Sequence, residues 1–227
     1  MTATPDRAHP LLSAITSLLA CHDLPEIPPA DPMPLLLEWY RDAQQRGRYD
    51  DFNAMTLATA TPDGRPSARV VLCKTVEPDP PAIVFYTNYL SRKGHELDAN
   101  PRAAAVFHWP HAKRQVRVEG TTERVSDAES EAYFDSRPLL SKIGASAGIQ
   151  SQHLKSRNEL IAAAIKIATA AALTGSIARP KHWGGFRMHL DSVELWSARE
   201  GRLHDRICWK RPSSGPSTVW TPERLSA

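Results

Sequence analysis

The stretch of this 227-residue chain that most restricts its fold runs from Met55 to Val125, where short runs rich in Val, Thr, Phe and Tyr alternate with turn signals. Thr61-Pro62-Asp63-Gly64 and Glu77-Pro78-Asp79-Pro80-Pro81 are two of those signals, and runs separated in this way specify antiparallel strands. Strands are predicted near 54–60, 67–76, 82–87, 103–109 and 114–125, with a helix from about Ser91 to Asn100 between the third and fourth. Strands this dense leave edges open unless the sheet closes, so a small barrel is expected.

The flanks predict helices around that barrel, a mainly β, α+β chain. Asp31 caps a helix that Pro32 opens and Gly47 stops, with Leu36, Leu37, Tyr40 and Ala43 on one apolar stripe. Ser126-Asp127-Ala128-Glu129 and Ser156-Arg157-Asn158-Glu159 are capping-box patterns that open two more. The apolar run Ile161 to Leu173 contains Lys166, is too short for a bilayer, and predicts a packed helix. After Pro180 strands return at roughly 184–196 and 202–211, before the loop Pro212-Ser213-Ser214-Gly215-Pro216. Residues 1–30 lack the continuous apolar region of a signal peptide and end in a Pro-rich stretch, which predicts an extended arm before a single domain over 31–227.

Bulk charge excludes little and selects less. A net charge of +3 is too small to predict nucleic-acid or membrane binding. Cys21, Cys73 and Cys208 are odd in number and contain no Cys-x-x-Cys, against a disulfide framework or zinc site and for a reducing cytoplasm. His108 and His111 lack a carboxylate or thiol at ligand spacing and read as structural or surface residues, so no metal is expected. Dinucleotide-fold, P-loop and serine-hydrolase glycine motifs are all missing.

Local cation clusters are more informative. Arg92 and Lys93 of Ser91-Arg92-Lys93-Gly94 fall in the first turn of a helix, where they oppose its dipole; they read either as a phosphate site or as solvated surface. Arg69 and Lys74 end a β-branched strand on opposite faces, so one site uses both only if the strand bulges or Lys74 lies at its end. In Arg202-Leu203-His204-Asp205-Arg206, strand alternation puts Arg202, His204 and Arg206 on one face, either ligand-facing or in an ion-pair ladder. Tyr133 and Arg137 share a helix face that Pro138 ends, letting Ser141 return toward them; a guanidinium fork and two hydroxyls suit a phosphate monoester, with an ordinary amphipathic helix as the competing reading.

Together RVVLCK (69–74), FYTN (85–88), SRKG (91–94), RQVRVEG (114–120), YFDSRP (133–138), WGGFR (183–187) and RLHDR (202–206) resemble, in order and spacing, the pyridoxine/pyridoxamine 5'-phosphate oxidase family. The resemblance covers about Asp31 to the C-terminus. It implies an FMN-binding split β-barrel and a homodimer, with FMN at two sites between the subunits. Position by position it implies that Arg69, Lys74, Tyr86, Thr87, Arg92 and Lys93 bind FMN, with Gln115, Gln150, Ser151, Trp196 and Arg206 completing that site. It implies substrate contacts from Lys74, Tyr133, Arg137, Ser141, Arg202 and His204, with Tyr133, Arg137 and Ser141 on the phosphate and Arg202 and His204 as the catalytic pair that positions the reacting carbon.

The implied reaction is oxidation of a phosphorylated pyridine's 4' alcohol or amine to the aldehyde, with oxygen as acceptor and hydrogen peroxide as product. Two alternatives stand beside it: a related flavin oxidase acting on another small ring compound, as in phenazine tailoring, and a non-catalytic flavin or pyridoxal phosphate carrier. The chain departs from the family pattern in having Arg7 as the firm cation of residues 1–30, Ser146 where Trp is common, and Ala227 where a final proline is usual.

Overall fold

The computed structural model describes residues 23–46, 52–148, 150–212 and 219–226. Cys21, the helix stop at Gly47 and most of the loop after Pro212 lie outside those residues, as do residues 1–22 of the expected arm.

Eight antiparallel strands form the sheet: β1 (Ala54–Ala60), β2 (Pro66–Pro78), β3 (Pro81–Asn88), β4 (Arg102–Trp109), β5 (Arg114–Arg124), β6 (Trp183–Ser197), β7 (Asp205–Lys210) and β8 (Thr221–Arg224). Their order is β3-β2-β1-β4-β5-β6-β7-β8, and β3 also pairs with β6, so six strands close into a barrel while β7 and β8 extend it. Period-two alternation fills the barrel: Met55 and Leu57 of β1, Ala105 and Phe107 of β4, and Val116 and Val118 of β5 all point inward and are buried. β8 is an element that the sequence pattern did not signal; its burial pattern is exposed throughout, so it carries no hydrophobic alternation to read.

Five α-helices flank the barrel among the described residues: α1 (Met33–Arg46), α2 (Arg92–Ala99), α3 (Asp127–Ser136), α4 (Leu139–Ala147) and α5 (Arg157–Thr174). Asp31 Oδ1 accepts the Met33 N–H at 3.0 Å, the expected cap of α1, and Trp39 joins Leu36 and Ala43 on its buried face while Leu37 and Tyr40 are half-buried. Ser126 Oγ accepts the Glu129 N–H at 3.1 Å at the start of α3. The matching box at Ser156 does not form, because Ser156 makes no side-chain cap bond and Glu159 instead accepts the Lys155 N–H.

α5 corrects a second expectation. It is helical over the anticipated run, yet none of its residues is buried, and Ile165 and Leu173 are 61% and 85% exposed. Its apolar residues surround the helix rather than forming a stripe, so no single packing face is defined. No described helix is long and apolar enough to cross a membrane.

Residues 23–30 have no regular structure but are held down. Leu24 enters the core, Pro29 O accepts from Trp209 Nε1 at 2.7 Å, and Asp23 accepts from Ser197 Oγ at 2.7 Å.

Candidate active site

A cleft of about 470 Å³ opens between β2, β3, α3 and α4. Its walls bring together eight residues singled out in the sequence: Lys74, Tyr86, Thr87, Lys93, Tyr133, Arg137, Ser141 and Gln150. Local backbone chemistry explains the convergence. Period-two alternation along β2 puts Lys74 on the exposed face with Val70 and Leu72, all three in the cleft wall, and the strand bulges at this point, between Cys73 and Thr75. The bulge does not bring Arg69 across; it stays on the opposite face and is no part of that wall.

At one corner α2 begins. Ser91 caps it by accepting the Gly94 N–H at 3.3 Å, and Gly94 is required because a Cβ there would lie 2.1 Å from the Tyr89 carbonyl oxygen. Lys93 Nζ then donates to Thr87 Oγ1, Ser91 Oγ and Gln150 Oε1 at 2.7, 3.0 and 3.0 Å, all neutral acceptors. Burial, reinforced by the nearby Arg69 charge, pulls its pKa down to about 8.

Arg69 and Arg92 share a different partner, Glu96. Its Oε2 lies 3.3 Å from Arg69 Nη2 and its Oε1 2.8 Å from Arg92 Nε, while Thr59 and Ser67 hydroxyls donate to it at 2.5 and 2.6 Å. Burial would push the Glu96 carboxyl up, but the bonds from Ser67, Thr59 and Arg92 outweigh it and hold the group at about 2. The choice between phosphate site and solvated surface therefore divides. One carboxylate partly balances the two arginines, and Lys93 is left without one, so the corner keeps a positive excess that can hold an anion. Arg92 N–H also donates to Ser151 Oγ at 3.2 Å, which places Ser151 on the rim.

The opposite corner is built by the end of α3. Pro138 forces the residue before it out of the helical region, and Arg137 leaves α3 with φ −77° and ψ 148°. Its Nη1 is buried without a hydrogen-bond partner among the described residues, and its guanidinium carbon lies 4.6 Å from the Trp183 ring centroid. Burial lowers its pKa, an effect only opposed by Tyr133. Tyr133 stacks on Tyr86 at 3.9 Å, and Tyr86 fits against β6 because Gly185 has no side chain: a Cβ there would meet the Tyr86 ring at 2.8 Å. Burial, with the Glu129 charge, pushes the Tyr86 hydroxyl up to about 12, so it remains a donor at neutral pH. A half-desolvated cation beside two hydroxyl-bearing residues, Tyr133 and Ser141, suits a second anion.

The remaining residues lie elsewhere. Gln115, Trp196 and Arg206 stand in register across β5, β6 and β7, and His204 lies 4.6 Å from the Trp196 ring. Trp183 in the cleft and Trp196 in this group are at opposite ends of β6, separated along the strand by at most about 40 Å at about 3.3 Å per residue. Within one chain this group is no part of the cleft wall.

The Arg202 to Arg206 segment also corrects the alternation argument. β7 begins at Asp205, and Arg202 ends a short 3-10 turn with φ +61°, so Arg202, His204 and Arg206 do not form one strand face. His204 Nδ1 accepts the Arg199 N–H at 3.1 Å, and Arg206 Nη2 reaches Glu194 at 2.9 Å, so an ion pair is present at Arg206.

Sequence reasoning missed Glu96 and Trp183. Glu96 was legible as the acid four residues after Arg92 on the same helix. Trp183 gave no signal of its own beyond its place at the start of β6.

Comparisons with known proteins identify the family. Residues 42–170 match the family model for pyridoxamine 5'-phosphate oxidase, and residues 183–227 match that for the pyridoxine 5'-phosphate oxidase C-terminal dimerisation region. The chain is 50% identical over 195 residues to a pyridoxine/pyridoxamine 5'-phosphate oxidase of Azorhizobium caulinodans, covering 86% of this chain and 89% of the relative. It is 46% identical to one of Paracidovorax citrulli over 96% of this chain and 95% of that one. Among solved structures, PhzG from Burkholderia lata in complex with tetrahydrophenazine-1-carboxylic acid aligns with TM-score 0.79 at 30% identity, over 88% of this chain and 94% of PhzG. A pyridoxamine 5'-phosphate oxidase-related, FMN binding protein from Nostoc punctiforme shares the fold, with TM-score 0.67 at 15% identity, over 86% of this chain and 98% of that one.

Proposed function

The chain belongs to the pyridoxamine 5'-phosphate oxidase family, and from that premise we propose that it is an FMN-dependent oxidase converting pyridoxamine or pyridoxine 5'-phosphate to pyridoxal 5'-phosphate. Oxygen is the electron acceptor and hydrogen peroxide the product. The observation that carries the substrate assignment is Arg137, whose buried Nη1 has no hydrogen-bond partner in a cleft that also holds Tyr133 and Ser141. A phosphate-free substrate would leave that desolvated cation uncompensated, which is costly. This favours the phosphorylated pyridine over the phenazine-type compound bound by PhzG.

The residues at the other corner fit FMN. Lys93, backed by Arg69 and Arg92 around a single carboxylate, supplies the charge excess for its phosphate, with Thr87, Gln150 and Ser151 as neutral neighbours. Val70 and Leu72 offer an exposed apolar edge on the cleft wall. When bound, FMN would supply the redox chemistry, hydride acceptance at the substrate's 4' carbon and electron transfer to oxygen. The chain's own share is orientation: Arg137, Tyr133 and Ser141 fix the phosphate end, and Lys74 sits between the two corners.

The far ends of β6 support a site shared by two chains. Gln115, Trp196, Arg202, His204 and Arg206 of one copy complete the cleft of the other, with Arg202 and His204 aligning the reacting carbon. The match to a dimerisation region over residues 183–227 is consistent with that assembly. A cytoplasmic location belongs to the same proposal, supported by the buried free thiols Cys73 and Cys208.

Aerobic turnover tests the function. Purified protein with FMN and pyridoxamine 5'-phosphate is expected to yield aldehyde and peroxide. A folded, yellow dimer that yields neither would sink the assignment and leave the carrier reading.

A further inference from the structure

Arg137 is held differently from Arg69, Arg92 and Arg206. Arg69 and Arg92 lean on Glu96 and Arg206 on Glu194, whereas Arg137 has no carboxylate partner among the described residues and instead lies 4.6 Å from the Trp183 ring and 5.9 Å from that of Phe134. Trp183 is itself fixed from behind. Arg179, with only 9% of its side chain exposed, donates from Nη1 to the Trp183 carbonyl at 2.7 Å and pairs through Nε and Nη2 with Glu131 and Asp127 of α3 at 2.9 and 2.6 Å. One buried side chain therefore ties the helix that delivers Arg137 to the strand that delivers Trp183. The Tyr133 and Tyr86 rings lie within 9° and 13° of the indole plane, so the wall behind the guanidinium is a set of nearly parallel aromatic faces.

We propose that Trp183 is the positioning residue for the substrate's phosphate and, through Arg137, sets the preference for phosphorylated over unphosphorylated substrate; this rests on Arg137 being the phosphate ligand. A carboxylate at Arg137 would cancel its charge and compete with the phosphate for the same N–H donors. An aromatic face attracts the cation through its π electrons without claiming its in-plane N–H donors as a carboxylate would, so the guanidinium is oriented while those donors are left for a dianion.

The test compares Trp183→Leu, Trp183→Phe and Arg137→Ala in the FMN-loaded protein. Trp183→Leu is expected to raise the KM for pyridoxamine 5'-phosphate about tenfold and the inhibition constant of inorganic phosphate by a similar factor, with kcat changed by less than about twofold. The KM for unphosphorylated pyridoxamine should stay unchanged, and Trp183→Phe, which keeps a π face, should recover most of the loss. In an Arg137→Ala background, Trp183→Leu should have no further effect, a non-additivity that a general packing role would not produce.

Wild-type phosphate inhibition in Trp183→Leu, or an equal loss in Trp183→Phe, overturns the proposal. If Trp183→Leu does not fold, Trp183→Met takes its place with the same expected constants. An Arg137→Ala protein with unchanged KM would defeat the substrate-site assignment itself, whereas a raised KM there beside an unchanged one in Trp183→Leu defeats only the role of Trp183.

Discussion

The two corners of the cleft handle positive charge in opposite ways. Around α2, Arg69 and Arg92 arrive already paired with Glu96, and Lys93 rests on three neutral acceptors. At the end of α3, Arg137 has no acid partner among the described residues and lies against aromatic rings. The first corner is a hydrogen-bonded network that is largely satisfied before any ligand enters. The second keeps a buried donor in reserve, and its electrostatic demand is met only by what binds. A cofactor that stays and a substrate that comes and goes fit these two designs respectively, because a pre-satisfied corner can stand intact while the other site turns over.

The largest expected effect comes from removing the hub of the first corner. Glu96→Ala leaves two arginines and two hydroxyls without their common acceptor, and breaking a buried pair of this kind should cost about 3 kcal/mol, read as a lowered denaturant midpoint. The sign of the pH dependence is fixed by the same residue. With Glu96 held at about 2 in the folded chain against an ordinary 4.5, its stabilisation is complete above 4.5 and is lost as pH falls toward 2; that acid-side loss should be absent in the variant.

Arg137→Ala, at the other corner, should do the reverse. It removes charge-assisted contacts worth about 1.5 to 3 kcal/mol to the substrate, a rise of about 10- to 150-fold in KM, while the melting temperature and bound flavin are retained. Loss of flavin with an unchanged KM would mean that the two corners have been assigned the wrong way round.

The smallest effect probes Lys93. Burial holds it near 8, so binding of sulfate to the flavin-free protein, at constant sulfate charge, should weaken severalfold as pH rises through about 8, and Lys93→Met should flatten that profile. Stability runs the other way: between 8 and 10.5 the unfolded chain binds the extra proton, so this residue's contribution increases with pH.

How much of this was written in the sequence differs between backbone and site. The strand-rich middle was legible because turn signals at 61–64 and 77–81 bracket runs whose inward residues alternate, as Met55 and Leu57 do. β8 was not, since a short exposed strand has no apolar period. Strand parity showed that Arg69 and Lys74 could share a site only through a bulge or a strand end, but that Arg69 would turn to Glu96 depended on a helix folding back across β1 and β2. Likewise, alternation failed at Arg202 because a turn, including Gly201 at φ +64°, replaces the expected strand there. The separation of the site's halves along β6 is a length in three dimensions, and residue types alone do not encode it.

That length has a genetic consequence. If each cleft takes Arg137 from one chain and Arg206 from the other, a chain lacking Arg137 and a chain lacking Arg206 fail for complementary reasons. Mixed in one cell or refolded together at equal amounts, they form mixed pairs half of the time, and each such pair carries one wholly damaged cleft and one wholly intact one. Two impaired alleles would then restore about a quarter of the normal number of intact sites.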